Sequence, residues 1–167
     1  MDIAGVFDQS LDLAADQPFI ICRNRQWSFA AFHALCTQVA RTLPTTGRIA
    51  CYLADSPQLV AIILGAGLAQ NDLLILNRDY PAEDIDSHLQ QLDCALLITD
   101  SSEFLDNASE RANTHTAVLS VGAFMHDCES AQAIAEPKQH SGELLVMTSG
   151  TTGAAKCARY QWQDLLQ

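Results

Sequence analysis

Apolar residues gather in short unbroken runs along this chain: "RIACYLA" (48–54), "NDLLILN" (71–77), "CALLITD" (94–100), "TAVLS" (116–120) and "ELLVM" (143–147). Runs of this length without polar alternation predict strands covered on both faces. Between them the period changes. Phe29, Phe32, Leu35, Cys36 and Val39 recur at helical spacing after Ser28, predicting a helix to about Leu43 that Pro44 and Gly47 stop. Ser56 and Pro57 open a second helix carrying Leu59, Val60, Ile62, Ile63 and Leu64. That helix is apolar around much of its circumference and is expected to be buried. Asp79 and Pro81 open a third, "PAEDIDSHLQQLD", with acids in its first turn where the helix dipole favours them. Ser101 or Ser102 starts a short fourth. Upstream, "PFIIC" and "RNRQWSF" predict two short strands joined at Arg23, Asn24 and Arg25. Residues 122–141 read as a connection, "KCARY" as a further strand, and a last helix as starting near Trp162.

Strands alternating with helices imply crossover units. The expected class is therefore α/β: a three-layer α/β/α sandwich with a mostly parallel sheet, one domain over residues 1–167.

Composition narrows the function classes. The chain is 49% hydrophobic and 17% charged, which is globular rather than disordered. Its net charge is −11, from 20 acids against 9 bases, and the only lysines are Lys138 and Lys156. Such a surface disfavours nucleic acid and anionic lipid unless positive charge is concentrated locally. Six cysteines form no CxxC pair and mostly lie in apolar runs, which favours reduced, buried thiols and a cytoplasmic setting. His126, Cys128 and His140 match no common zinc spacing, and His33, His88 and His115 are scattered, so no metal site is assigned. The N-terminus lacks a signal-peptide pattern, and "LVAIILGAGLA" is too short to span a bilayer.

The candidate chemistry sits in "MTSGTTGAAK". Glycines let backbone N–H groups approach oxygen closely. Successive N–H groups form an anion-binding concavity, and hydroxyls add donors. Thr148, Ser149, Gly150, Thr151, Thr152, Gly153 and Lys156 bring all of these together with a cation. The spacing fits neither GxxxxGK[ST] nor GxGxxG, because Ala155 precedes the lysine and Cys157 follows it. On residue types alone, a Gly- and Thr-rich hairpin turn and a phosphate-binding loop over 148–156 both stand.

"MTSGTTGAAK" resembles the phosphate-loop signature of the AMP-forming acyl-adenylate ligases, whose usual form is Thr-Ser-Gly-Ser/Thr-Thr-Gly-x-Pro-Lys-Gly. The family includes acyl-CoA synthetases, aryl-CoA ligases, luciferases and peptide-synthetase adenylation domains. "WSFAAFHALCTQVARTL" is similar to the family's early "LTYxEL" helix start. The segment 48–100 is similar to the stretch in which "NSPE" opens a helix, a strand ends in "PLNP", and "PxEEL" opens the next helix. The resemblance runs from about Pro18 to Leu166. Ala155 stands where the family prefers Pro, Cys157 where it prefers Gly, Trp162 where many members have His, Ile75 for a usual Pro and Gln70 for a usual Gly.

The resemblance implies a two-step reaction. A small carboxylic acid attacks the α-phosphate of ATP, with Mg2+ assisting. The acyl-adenylate then passes its acyl group to the thiol of CoA or of a carrier protein's phosphopantetheine. Thr148, Ser149, Gly150, Thr151, Thr152, Gly153 and Lys156 would hold the β- and γ-phosphates. The family's adenine pocket, magnesium-binding acid and adenylation lysine follow this loop in family order, so Lys156 is not that lysine and no catalytic residue is assigned. Met1 reads as a start, and the helix opening at Trp162 without a closing cap reads as an interrupted chain. The expectation is the N-terminal subdomain of a longer ligase, inactive or nearly so alone, with homo-oligomerisation through surface exposed by truncation. A non-enzymatic binding or assembly module of the same fold, and an unrelated small α/β nucleotide-binding protein, are the alternatives.

Overall fold

The computed structural model describes residues 3–108, 115–130, 141–148 and 156–165. Helix α1 (Ile3–Ala14) precedes a hairpin of β1 (Pro18–Cys22) and β2 (Arg25–Ser28), then α2 (Phe29–Thr42) and β3 (Arg48–Tyr52). Next come α3 (Pro57–Leu68), β4 (Leu73–Ile75), α4 (Ala82–Gln91), β5 (Cys94–Thr99) and the short α5 (Ser102–Asp106). The chain continues through β6 (Ala117–Ser120), α6 (Val121–Ser130), β7 (Glu143–Thr148), β8 (Lys156–Gln161) and a 3-10 turn, Trp162–Asp164.

The larger sheet has the order β6-β5-β3-β4-β7-β8. The β3–β4, β3–β5, β4–β7 and β5–β6 pairs are parallel, and only β7–β8 is antiparallel. Steps from β3 to β4 and from β6 to β7 go toward one edge, whereas β4 to β5 and β5 to β6 go back. Parallel crossovers of one hand then require α3 and α6 on one face and α4 and α5 on the other. The two cores have that composition. One joins Phe7, Phe32, Cys36, Val39, Ile62, Phe124 and Cys128 to Ile49, Cys51, Leu73 and Ile98. The other joins Ile85, Leu89 and Phe104 to Ala50, Tyr52, Leu74, Leu97 and Leu145. Neighbouring strand residues thus feed opposite cores, which is why the strands lack polar alternation. The expected three-layer α/β/α sandwich stands.

Local signals account for most boundaries. Ser28 caps α2 through Ala31 N, at 3.2 Å, and Ser56 caps α3 through Leu59 N, at 3.2 Å. A Cβ at Gly65 would lie 2.5 Å from Val39 Cγ1, so only glycine lets α3 cross α2 this closely.

One helix went unsignalled in the sequence and one expected connection needs correction. Residues 3–14 form α1, which periodicity did not signal. Residues 121–130 form α6, so the stretch after 121 begins as a helix rather than a connection. The third expected helix opens where Pro81 predicted, with Pro81 at the N-cap of α4. At the position expected for the last helix, a 3-10 helix covers Trp162–Asp164 among the described residues.

Candidate functional site

Parallel strands of an open sheet end together, and ligands enter such folds outside the carboxyl ends. Here β3, β4 and β7 end around a crevice of about 530 Å3. Its floor is apolar, from Leu53, Ile75, Leu76, Val146 and Met147, and its rim carries Asp55, Asn77 and Arg78. Two other hollows, of about 540 and 460 Å3, lie between the hairpin turn and the start of α3 and at the amino end of the sheet.

The expected phosphate loop leaves from the crevice lip. Met147 lines the crevice and Thr148 follows it as the last residue of β7. Thr148 pairs with Lys156, the first residue of β8, across the antiparallel ladder. This register brings both ends of the 148–156 stretch to the carboxyl edge of the sheet. Lys156 is exposed. Ser149, Gly150, Thr151, Thr152 and Gly153 lie outside the described residues.

A polar network that sequence reading missed fastens the strand ends around the crevice. Asp100, just after β5, accepts a hydrogen bond from Arg78 Nη1 on Oδ1, at 2.6 Å, and from Ala54 N on Oδ2, at 3.1 Å. The Arg78 guanidinium lies 4.7 Å from the Tyr52 ring centroid. The Tyr52 hydroxyl donates to the carbonyls of Arg78 and Tyr80, at 3.3 and 3.4 Å. Thr99, fully buried, donates to the Tyr52 carbonyl at 2.9 Å and accepts from Ser101 N at 3.0 Å. The available signal was an arginine in "NRDYP", immediately after an apolar strand.

Four of the six thiols, those of Cys36, Cys51, Cys94 and Cys128, are buried. Burial pushes the Cys36 thiol up to about 12. It pushes Cys94 up to about 11 despite the opposing charge of Arg48. The discarded metal pattern splits: His126 is exposed and 3.9 Å from Glu129, Cys128 is buried, and His140 lies outside the described residues. Among the described residues no group of three His, Cys, Asp or Glu gathers to hold a metal, and no helix is long and apolar enough to cross a membrane.

The AMP-binding enzyme family model matches residues 7–167. Surfactin synthase subunit 1 of Bacillus subtilis (strain 168) is 23% identical over 161 residues, 93% of this chain and 4% of that protein. The anthranilate CoA ligase AuaEII in complex with anthranoyl-AMP superposes with a TM-score of 0.82 at 16% identity, over 98% of this chain and 34% of that one. The Klebsiella oxytoca NpsA N-terminal subdomain in complex with 3-hydroxybenzoyl-AMSN gives 0.76 at 19% identity, over 97% of this chain and 41% of that one. The chain therefore spans less than half the length of each, and at these identities the structures establish the fold. Because the family match runs through β7, the loop and β8 as well as the frame beneath them, the chain belongs to the AMP-binding enzyme family.

Proposed function

We propose that this chain is the opening portion of an AMP-forming acid–thiol ligase and that residues 148–156 hold the triphosphate tail. In the first step a carboxylate oxygen of the acid bonds to the α-phosphorus of ATP. The bond from that phosphorus to the bridging oxygen breaks, and pyrophosphate leaves with its electrons. In the second, a thiolate sulfur attacks the acyl carbon and AMP departs. The acceptor is CoA or a carrier protein's phosphopantetheine; the structural relatives include both a CoA ligase and an adenylation–PCP di-domain protein.

The residues of this chain act on the first step. Amide and hydroxyl donors from Thr148, Ser149, Gly150, Thr151, Thr152 and Gly153 take the β- and γ-phosphate oxygens, and Lys156 adds positive charge. Donors fixed in place before the reaction stabilise the charge that develops on the leaving pyrophosphate without reorganising. Magnesium, when bound, neutralises phosphate charge. The described residues offer no set of ligands for it, so no step is assigned to it.

The observation that carries this reading is the Thr148–Lys156 register at the crevice lip. The test is ATP–pyrophosphate exchange, run on a longer protein containing this chain, across a panel of carboxylic acids. Acid-dependent exchange is expected, and Lys156→Ala or Thr151→Ala should lower it by roughly 100-fold, the cost of one such donor. Absence of exchange with every acid overturns the proposal. The 167-residue chain alone should stay near background.

Self-association of the isolated chain is part of the same proposal. Strand β8 ends the sheet order, and Tyr160 and Leu165 are 46% and 41% exposed. A clean monomer in sedimentation at high concentration would remove this part alone.

A further inference from the structure

We propose that Arg78 is a second cation of the phosphate site and that Asp100 positions it. This rests on the phosphate reading of residues 148–156.

Charge gives the first reason. A chain of net charge −11 must gather cations wherever it binds a polyphosphate. Arg78 lines the crevice together with Met147, the residue preceding Thr148. Among the described lining residues it is the only cation, and Asp55 is the only carboxylate.

Geometry gives the second. An exposed arginine ordinarily samples many rotamers, and ordering it for a ligand costs entropy. Arg78 is ordered beforehand. Asp100 holds Nη1 at 2.6 Å and the Tyr52 ring supports the guanidinium plane at 4.7 Å. Tyr52 is itself fixed by its hydroxyl on the Arg78 and Tyr80 carbonyls. Asp100 is held in turn by Ala54 N at 3.1 Å, so one carboxylate ties together the ends of β3, β4 and β5.

The third is the donor balance. A guanidinium carries five N–H donors in a planar fork, and Asp100 takes up one edge of it. The Arg78 side chain remains 41% exposed, and Arg78 borders the crevice whereas Asp100 does not. The remaining donors of the fork suit carboxylate or phosphoryl oxygens, and beside residues 148–156, read as the phosphate loop, the ligand class is a phosphoryl group.

The experiment is a 1H–15N NMR titration of the 167-residue chain with inorganic tripolyphosphate, following Lys156, Ala54 and the Arg78 Nε–H. Weak saturable binding should move all three. R78Q should weaken binding roughly tenfold, the worth of a charged hydrogen bond, and abolish the shift at Ala54 while Lys156 still moves. R78K should recover part of the affinity. D100N keeps an acceptor for Ala54 N–H but loses the ion pair. It should weaken binding by a smaller factor, and D100N added to R78Q should cost nothing more, because Asp100 acts through Arg78. Thermal melts separate these effects from unfolding; should R78Q fail to fold, the wild-type Arg78 Nε–H shift and R78K carry the test. Movement of Lys156 with a silent Arg78 Nε–H, or unchanged affinity in folded R78Q, overturns the inference and leaves the loop reading intact. Movement of Arg78 without Lys156 overturns the loop reading. A wild-type chain that shows neither overturns both.

Discussion

At the amino end of the parallel strands, polar side chains bond to backbone and close the structure. Asn71, 1% exposed, donates to the Pro44 carbonyl at 2.8 Å and accepts on its own carbonyl from Trp162 Nε1 at 2.7 Å. Thr116 donates to the Cys94 carbonyl at 2.6 Å, Asp72 accepts from Glu143 N at 3.0 Å, and Arg48 donates to the Leu92 carbonyl. At the carboxyl end the inner layer is equally tight around Thr99, but the outer one is not. Arg78, Asn77 and Asp55 border an open crevice, and Arg78 and Asp100 are 41% and 33% exposed in their side chains. The amino end also bears a hollow, bordered by Arg48 and Asp72, but these two pair with each other and with backbone, whereas Arg78 keeps 41% of its side chain exposed at the crevice. That contrast makes the ends separable by mutation.

The largest effect is expected at the closed end. Trp162 is 1% exposed, and a Cβ on Gly67 would lie 3.2 Å from its ring. Trp162→Ala should cost about 3–5 kcal/mol, the range for deleting a buried aromatic, measured by urea denaturation. A loss below about 1 kcal/mol would mean that β8 and its closing turn are not docked on α3. Next is Thr99→Val at the carboxyl end. The shape is kept, but Ser101 N loses its acceptor and the Tyr52 carbonyl its donor. About 2 kcal/mol of destabilisation is expected.

How far these features were legible in the sequence differs between the ends. The strands and α2 to α4 were readable because each buries a long apolar run or has a clear N-terminal signal. Helices α1 and α6 were not. Each buries just two residues at i, i+4, Ile3 with Phe7 and Phe124 with Cys128, too few to set a period among polar neighbours. The loop was legible from residue types at the residues themselves. The Arg78–Asp100 bond was not, because those residues are 22 apart and meet only when the β4–β5 crossover brings two strand ends to one edge. Cys94 shows the converse: its apolar setting marked it as buried, and it is 1% exposed.

That burial gives a smaller, pH-dependent effect. Cys94 has a folded value of about 11 against 9.0 for a free thiol. A raised thiol pKa favours the neutral folded form, so its contribution is complete below pH 9 and is lost as the pH rises toward 11. Cys36, at about 12, acts with the same sign. Stability should therefore fall above pH 9, by about 1 kcal/mol per pH unit for each such thiol. Cys94→Ala should flatten the slope of a denaturation series between pH 9 and 10.5. Equal slopes in wild type and Cys94→Ala would remove the thiol as the cause.

The smallest stability change, and the sharpest test of the contrast, is Asp100→Asn. The carboxylate and its arginine are both more than a third exposed or close to it, so water and salt screen the pair and the change should stay within about 1 kcal/mol. The amide oxygen still accepts from Ala54 N, which keeps the strand ends in register. Arg78 loses its ionic anchor, and the affinity for tripolyphosphate should fall although the melt barely moves. Thr116→Val supplies the mirror image at the closed end. Its hydroxyl bond to the Cys94 carbonyl is buried and remote from the crevice, so stability should drop by about 1–2 kcal/mol with affinity intact. If both substitutions moved stability and affinity in proportion, polar groups at the two ends would be serving the same purpose. Arg78 would then be part of the frame rather than part of the site.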